Sequence, residues 1–284
     1  MRWARANPMK ILISTDIEGV AGVFHPEQTR PGNGEYERAR AWMTREADAA
    51  ARGAFAAGAE AVWVNDSHGG FRNLLPDLLD PRVRLVLGKP RYAGMMSGIE
   101  QGCDGVLMIG YHGRAQGRGI LAHTINSGAF AGVSLNGIEL GEAGLYAALA
   151  GEAGVPVLMA SGDDVFVEET SALMPWVRFV ATKRAQGQGS GESMTPAAAC
   201  EAIGAAAQAA VRALRTEPAA VRPFTIAGPV NCRLRTLTPA HADLFCQWPT
   251  LQRLDGVTLS FDAASVTDAV RMLNCLSAMS FMLR

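Results

Sequence analysis

Cysteine is scarce and poorly placed for chemistry. The five residues (Cys103, Cys200, Cys232, Cys246 and Cys275) come no closer than 14 positions. That spacing excludes CxxC-type zinc or redox sites and a disulfide framework, and it favours a reducing, cytoplasmic setting. No run approaches the roughly 18 apolar residues of a membrane span. The apolar stretch that follows Arg2 and Arg5 stops at Asp16, so no secretory signal is expected. The net charge of -1 gives no electrostatic case for nucleic acid or an anionic membrane as partner. A P-loop, a G-x-G-x-x-G after a strand and an H-E-x-x-H are all missing, and Asn65-Asp-Ser67-His-Gly69 only approaches the G-x-S-x-G of serine hydrolases.

The chain has 284 residues, 49% hydrophobic and 19% charged, an ordinary globular composition for one large or two small domains. Short apolar runs read as strands at Lys10–Thr15, Ala61–Asn65, Val83–Leu87, Gly105–Gly110, Phe130–Asn136, Val155–Ala160 and Val177–Thr182. Between them, Ala39, Met43, Ala47, Ala50 and Ala54 recur at helical spacing in a helix from Glu35 to Ala57. Shorter helices are expected over Tyr92–Glu100 and Gly141–Ala150. Thr195-Pro196 opens another, with threonine as N-cap and proline in the first turn. The alternation predicts an α/β fold: a mostly parallel, Rossmann-like sheet with helices on both faces. Residues 185–193, rich in Gly, Gln and Ser, read as a linker or mobile loop. The expected division is a catalytic α/β domain over 9–184 and a smaller C-terminal α+β subdomain over 193–284, with strands near Phe224–Ala227 and Val257–Phe261 and a helix from Ser265. Residues 1–8 read as a start-site extension.

Chemistry concentrates where the strands end. Ile11-Leu-Ile-Ser-Thr-Asp16-Ile-Glu18-Gly19 closes a strand with two carboxylates which extended geometry puts on one side of the chain. Side by side they repel unless a metal ion or an arginine sits between them; alternatively Asp16 caps a turn and Glu18 is solvated. His68 and His112 follow two further strands. Functional groups in parallel sheets collect at such carboxyl ends. With His123 and Glu142 they make an oxygen and imidazole set suited to zinc or a similar ion, and large enough for two. Each member also has an ordinary structural reading. A lone histidine is often structural, and Glu142 in a helix's first turn is favoured by the macrodipole, with Glu139 as competitor. Asp163 and Asp164 suit caps of the next helix.

Taken together, several pieces resemble the zinc-dependent D-aminopeptidases of the DppA type. They are Ser14-Thr-Asp16-Ile-Glu18-Gly19, Tyr36-Glu37-Arg38 with Met43-Thr44 and Glu46, Val64-Asn-Asp66-Ser-His68, Gly110-Tyr-His112, Ala122-His123, Gly141-Glu142-Ala-Gly-Leu145, and Val155-Pro-Val-Leu-Met159 with Gly162-Asp-Asp164. The resemblance runs from Met9 to about Pro175 and departs around Thr124–Ser127, where the loop is one residue longer. It implies two Zn2+ per chain: Asp16 bridging both, Glu18 and His68 completing one, His112 and Glu142 the other, and His123 as the catalytic histidine. It also implies short peptide substrates that lose an N-terminal residue, notably D-alanine, and a ring-like homo-oligomer, a decamer in the family. Other readings keep part of this set: a two-metal hydrolase of another small amide or a phosphoester, or a non-catalytic peptide- or metal-binding protein. Phosphoester work would call for cationic clamps, for which Arg114 and Arg118 are the available residues.

Overall fold

The strands form because β-branched and leucine runs bury both faces of a central sheet. A computed structural model describes residues 8–283, so the start-site extension expected over residues 1–8 lies, Pro8 apart, outside the described residues. In chain order the elements are β1 (Lys10–Thr15), α1 (Gly34–Ala56), β2 (Ala61–Asp66), β3 (Arg84–Val86), β4 (Gly105–Ile109), β5 (Phe130–Leu135), β6 (Ile138–Glu139) and α2 (Glu142–Glu152). They continue with β7 (Val157–Asp163), α3 (Asp164–Leu173), β8 (Arg178–Gly187), β9 (Ser190–Ser193), α4 (Pro196–Thr216), β10 (Val230–Thr236), α5 (Pro239–Phe245), β11 (Gln252–Arg253), β12 (Thr258–Ala263) and α6 (Val266–Met279). Seven strands form one sheet in the order β3-β2-β1-β4-β7-β8-β9, parallel except for β9. The remaining five form an antiparallel sheet, β11-β12-β10-β5-β6.

Period-2 alternation along β1 sorts the layers. Ile11 and Ile13 face α1 and α4, together with Val62, Val64, Leu107 and Ile109. Leu12 faces the opposite way, into a core shared with α2, α6 and the antiparallel sheet. The alanine stripe of α1 lies entirely inside. It lets α4 approach so closely that a side chain at Gly53 would collide with the Gly204 carbonyl oxygen. The expected α/β class is thus present, with a mostly parallel sheet flanked by helices and a second sheet beside it.

Several local expectations differ. Residues 185–193 form the β8–β9 hairpin, because polar, glycine-containing residues suit an edge ribbon as well as a linker. The helix expected at Tyr92–Glu100 is a pair of 3-10 turns, Gly94–Met96 and Ile99–Gln101, separated by Gly98 in a left-handed conformation. Phe224–Ala227 is not a strand; pairing begins at Val230. The strand at Phe130 joins the second sheet, pairing with β10, so that sheet draws on residues well ahead of position 193. In the other direction, α4 packs along α1 on the parallel sheet.

One charged residue lies within the α1 stripe. Glu46 is fully buried; its Oε1 accepts from the Ala21 N–H at 2.9 Å, and its Oε2 has no hydrogen-bond partner among the described residues. Burial pushes its carboxyl up to about 7, against the opposing pull of the Ala21 N–H and Lys183. The folded protein therefore holds this proton more tightly than the unfolded chain. The associated stability is complete below the ordinary value of 4.5 and lost as pH rises through 7. Glu46→Gln removes this dependence. In denaturant unfolding, the stability of wild type relative to the variant is expected to fall by about 3 kcal/mol from pH 4.5 to pH 8. A difference that stays flat with pH would refute the assignment.

Candidate metal centre

The strand order reverses at β1 and β4. From β1 the chain runs outward through β2 to β3, then returns to β4 and proceeds to β7 and β8 on the other side. The crevice outside the carboxyl ends at such a switch is where open α/β sheets bind ligands. Thr15 is in register with both Asp66 and Ile109, so the residues after three strands converge. The Asp16 N–H donates to the Ile109 carbonyl and the Gly19 N–H to the Gly110 carbonyl, each at 2.8 Å. Only glycine fits at position 19: a Cβ there would lie inside the Tyr111 carbonyl oxygen.

Asp16 stands between two imidazoles. Its Oδ1 is 3.1 Å from His68 Nδ1, and its Oδ2 is 3.3 Å from His112 Nε2. Glu18 Oε2 is 3.0 Å from the same His68 nitrogen. Glu142, in the first turn of α2, places Oε1 3.6 Å from both His112 Nε2 and His123 Nε2. That oxygen also accepts from the Ile125 N–H at 2.6 Å. The rings of His112 and His123 stack, 4.1 Å apart at 12°.

Every imidazole has one nitrogen already committed. His68 Nε2 donates to the Thr29 carbonyl (2.8 Å), His112 Nδ1 to Gly113 (2.9 Å) and His123 Nδ1 to Leu121 (3.0 Å). A carbonyl oxygen only accepts, so those nitrogens carry the proton and the others turn toward the carboxylates. This is the arrangement of metal-binding histidines, whose far nitrogen is fixed by an outer partner. The ligand-type atoms form two sets, Asp16 with Glu18 and His68, and His112 with His123 and Glu142, each lying within 4.8 Å of one another. His112 Nε2 and Glu18 Oε2 are buried without a hydrogen-bond partner among the described residues. Unpaired lone pairs there, beside three carboxylates, fit a site made for cations, and the mixed N/O donor set fits zinc.

The electrostatics agree. Burial opposes the Asp16 carboxylate, yet the His112 and His68 imidazoles beside it hold its pKa well below the ordinary range. Burial also opposes the charged form of His112, but Glu142 and Asp16 raise it to about 10. His68 is raised well above its usual value because Glu18 and Asp16 outweigh burial. At Glu142 burial prevails over the two histidines and raises the carboxyl. The crevice demands positive charge.

His123 is carried by the long connection from β4 to β5. Leu121 (φ 54°) and Ile125 (φ 60°) bracket it in left-handed conformations. A β-branched residue there costs on the order of 1–3 kcal/mol, strain typical of functional segments. Asp163 Oδ2 holds the Ile120 N–H at 2.6 Å, while Asp163 Oδ1 caps α3 through Phe166. On the other flank, Asn126 Nδ2 donates to the Ser277 carbonyl (3.2 Å) and Ser280 Oγ (3.0 Å).

Asp16, Glu18, His68, His112, His123 and Glu142 are thus all brought together. Asp163 and Asp164 do structural work, the latter accepting from the N–H groups of Val165 and Ala185. Glu139 belongs to neither ligand set and faces Arg114 at 3.4 Å, while Arg114 pairs with Glu169 at 2.7 Å. Sequence reasoning missed Lys183, whose Nζ reaches the carbonyls of Glu18 and Val23 from β8. Lys183 sits among other polar residues of β8, Arg178, Thr182, Arg184 and Gln186, so nothing in the sequence singled it out, and strict alternation would not have turned it inward.

Imidazoles and carboxylates crowded into the switch-point crevice of a mainly parallel sheet define the metallohydrolase class. Comparison with known proteins makes this specific. A family model described as D-aminopeptidase (peptidase family M55) matches residues 9–275. A D-aminopeptidase of Bacillus subtilis (strain 168) is 36% identical over 191 residues, 67% of this chain and 69% of that protein. Among solved structures, the Zn-dependent D-aminopeptidase DppA from Bacillus subtilis, described as a self-compartmentalizing protease, superposes with a TM-score of 0.89 at 28% identity. The match covers 96% of this chain and 98% of that one. The chain belongs to the D-aminopeptidase family.

The close approach at Gly19 yields a direct test. Gly19→Ala is expected to destabilise the fold by about 3 kcal/mol or more, because backbone on both sides must shift. A melting temperature equal to wild type would show that the two loops are not in contact.

Proposed function

We propose that the protein is a zinc aminopeptidase that binds two ions per chain and removes the N-terminal residue, D-alanine or another small D-residue, from short peptides. The observation that carries this reading is the Asp16 carboxylate, with Oδ1 toward His68 and Oδ2 toward His112. In this reading Asp16 bridges, Glu18 and His68 complete one position, and His112 and Glu142 the other. Bound zinc would supply Lewis acidity, activating water near neutral pH and polarising a carbonyl. The protein's own contribution is placement: fixed donors on rigid strand ends, in a crevice whose carboxylates also suit a substrate's free ammonium.

His123 is assigned the proton transfer. Its side chain is 18% exposed against 12% for His68 and 1% for His112, making it the histidine most open to a substrate. With Nδ1–H held by Leu121, Nε2 is the atom able to take a proton and return it to the leaving amine. The engagement of Arg114 by Glu169 and Glu139 withholds it from the clamp that phosphoester chemistry would need. Assembly into a closed homo-oligomer is inferred with this function, by likeness to the self-compartmentalizing relative, and the family resemblance implies a ring of ten. A monomer in sedimentation would refute that part.

The reading makes unequal demands on its ligands. Metal analysis should give two zinc ions per wild-type chain, loss of both in Asp16→Ala and loss mainly of one in Glu18→Ala; identical losses would remove the bridging role. His123→Ala should retain metal while turnover drops by about 10²–10⁴-fold, and an unchanged rate would mean another group moves the proton. A panel of D- and L-aminoacyl di- and tripeptides with zinc restored tests the reaction itself. Release of the free D-residue is expected, and no hydrolysis of any member would sink the proposal.

A further inference from the structure

The loop bearing Asp16 and Glu18 is held by a device on a distant strand. Along β7 and β8 the register runs from Gly162 opposite Ala181 to Asp163 opposite Lys183, so β8 carries one extra residue, Thr182. This bulge turns two successive side chains inward where alternation would allow one, and both are buried. Thr182 Oγ1 lies 2.7 Å from the Gly19 carbonyl oxygen and 3.0 Å from that of Gly162. Lys183 Nζ donates to the carbonyls of Glu18 and of Val23, the latter at 2.7 Å. Glu46 and Ser193 complete the cradle by accepting from the N–H groups of Ala21 and Gly22 (2.9 and 2.8 Å).

Lys183 is the unusual member. Among the described residues no carboxylate forms an ion pair with its ammonium, which is only 3% exposed and also faces the Phe24 ring at 5.3 Å. A buried ammonium with no carboxylate in contact is costly and needs compensation. Asp163, Glu46 and Glu18 act on it only from beyond ion-pair distance, and its direct partners are two carbonyls, 18 and 23, that bracket one turn of the acidic loop. Tying both to a single point fixes the backbone from which the Glu18 carboxylate projects.

We propose that Lys183 and Thr182 are positioning residues for the Glu18 side of the metal centre, acting through the loop backbone rather than by touching metal or substrate. The inference rests on the two-ion reading above. It requires a site-selective effect: the Glu18–His68 position depends on the cradle, while the hydrogen bonds of Thr182 and Lys183 reach neither His112, which follows β4, nor Glu142, which opens α2.

The experiment is stepwise zinc titration of chelator-stripped protein against a chromophoric competitor. The step removed by Glu18→Ala identifies the Glu18 side. Lys183→Met is expected to weaken that step by about 10–100-fold, the usual effect of losing an outer partner, and to leave the other step within about threefold of wild type. Thr182→Val, a milder change that keeps the bulge, should weaken the same step to a smaller extent and decides the matter if Lys183→Met does not fold. Equal weakening of both steps, or no weakening, overturns the proposal, since a merely structural role would spare or harm both alike. A wild type with a single zinc step would instead refute the two-ion reading.

Discussion

The carboxylate of Asp16 between the imidazoles of His68 and His112 is the constraint on which the centre depends. No local rule favours three buried carboxylates and three histidines in one crevice; desolvation alone would be expected to exclude them. They are tolerated because each charge faces an opposite one, and because the strand ends carrying them are locked in register by the sheet. The raised histidines and lowered Asp16 report the same balance. A cation entering the crevice would meet donors that the sheet already holds in place, so its rigid strands need not reorganise to admit it.

Much of this was legible beforehand. β1, β2 and β4 are continuous apolar runs that stop at polar residues, and the parallel-sheet rule placed Asp16, His68 and His112 on one edge without further information. Glu142 and His123 were readable as members of a possible ligand set, but the catalytic role of His123 depended on family resemblance, because a histidine in an irregular 20-residue connection has no periodicity to betray it. Lys183 stayed hidden because a bulge defeats alternation. The β5 strand was visible, but its sheet was not, since an apolar run does not say which partner it will find. Residues 185–193 misled for a related reason: a composition rich in Gly, Gln and Ser fits a flexible linker and an exposed hairpin equally well.

The anchoring of the His123 connection also decides where a change in the fold can reach the crevice. Asn126, three residues beyond His123, is hydrogen-bonded to Ser277 and Ser280 at the end of α6. β1 begins at Lys10, on the amino edge of the sheet, about 20 Å of strand from Asp16. The two places are therefore unequal for a perturbation. A change at the start of β1 acts on the edge away from the crevice. The same change at the end of α6 pulls on the support of the loop that carries His123.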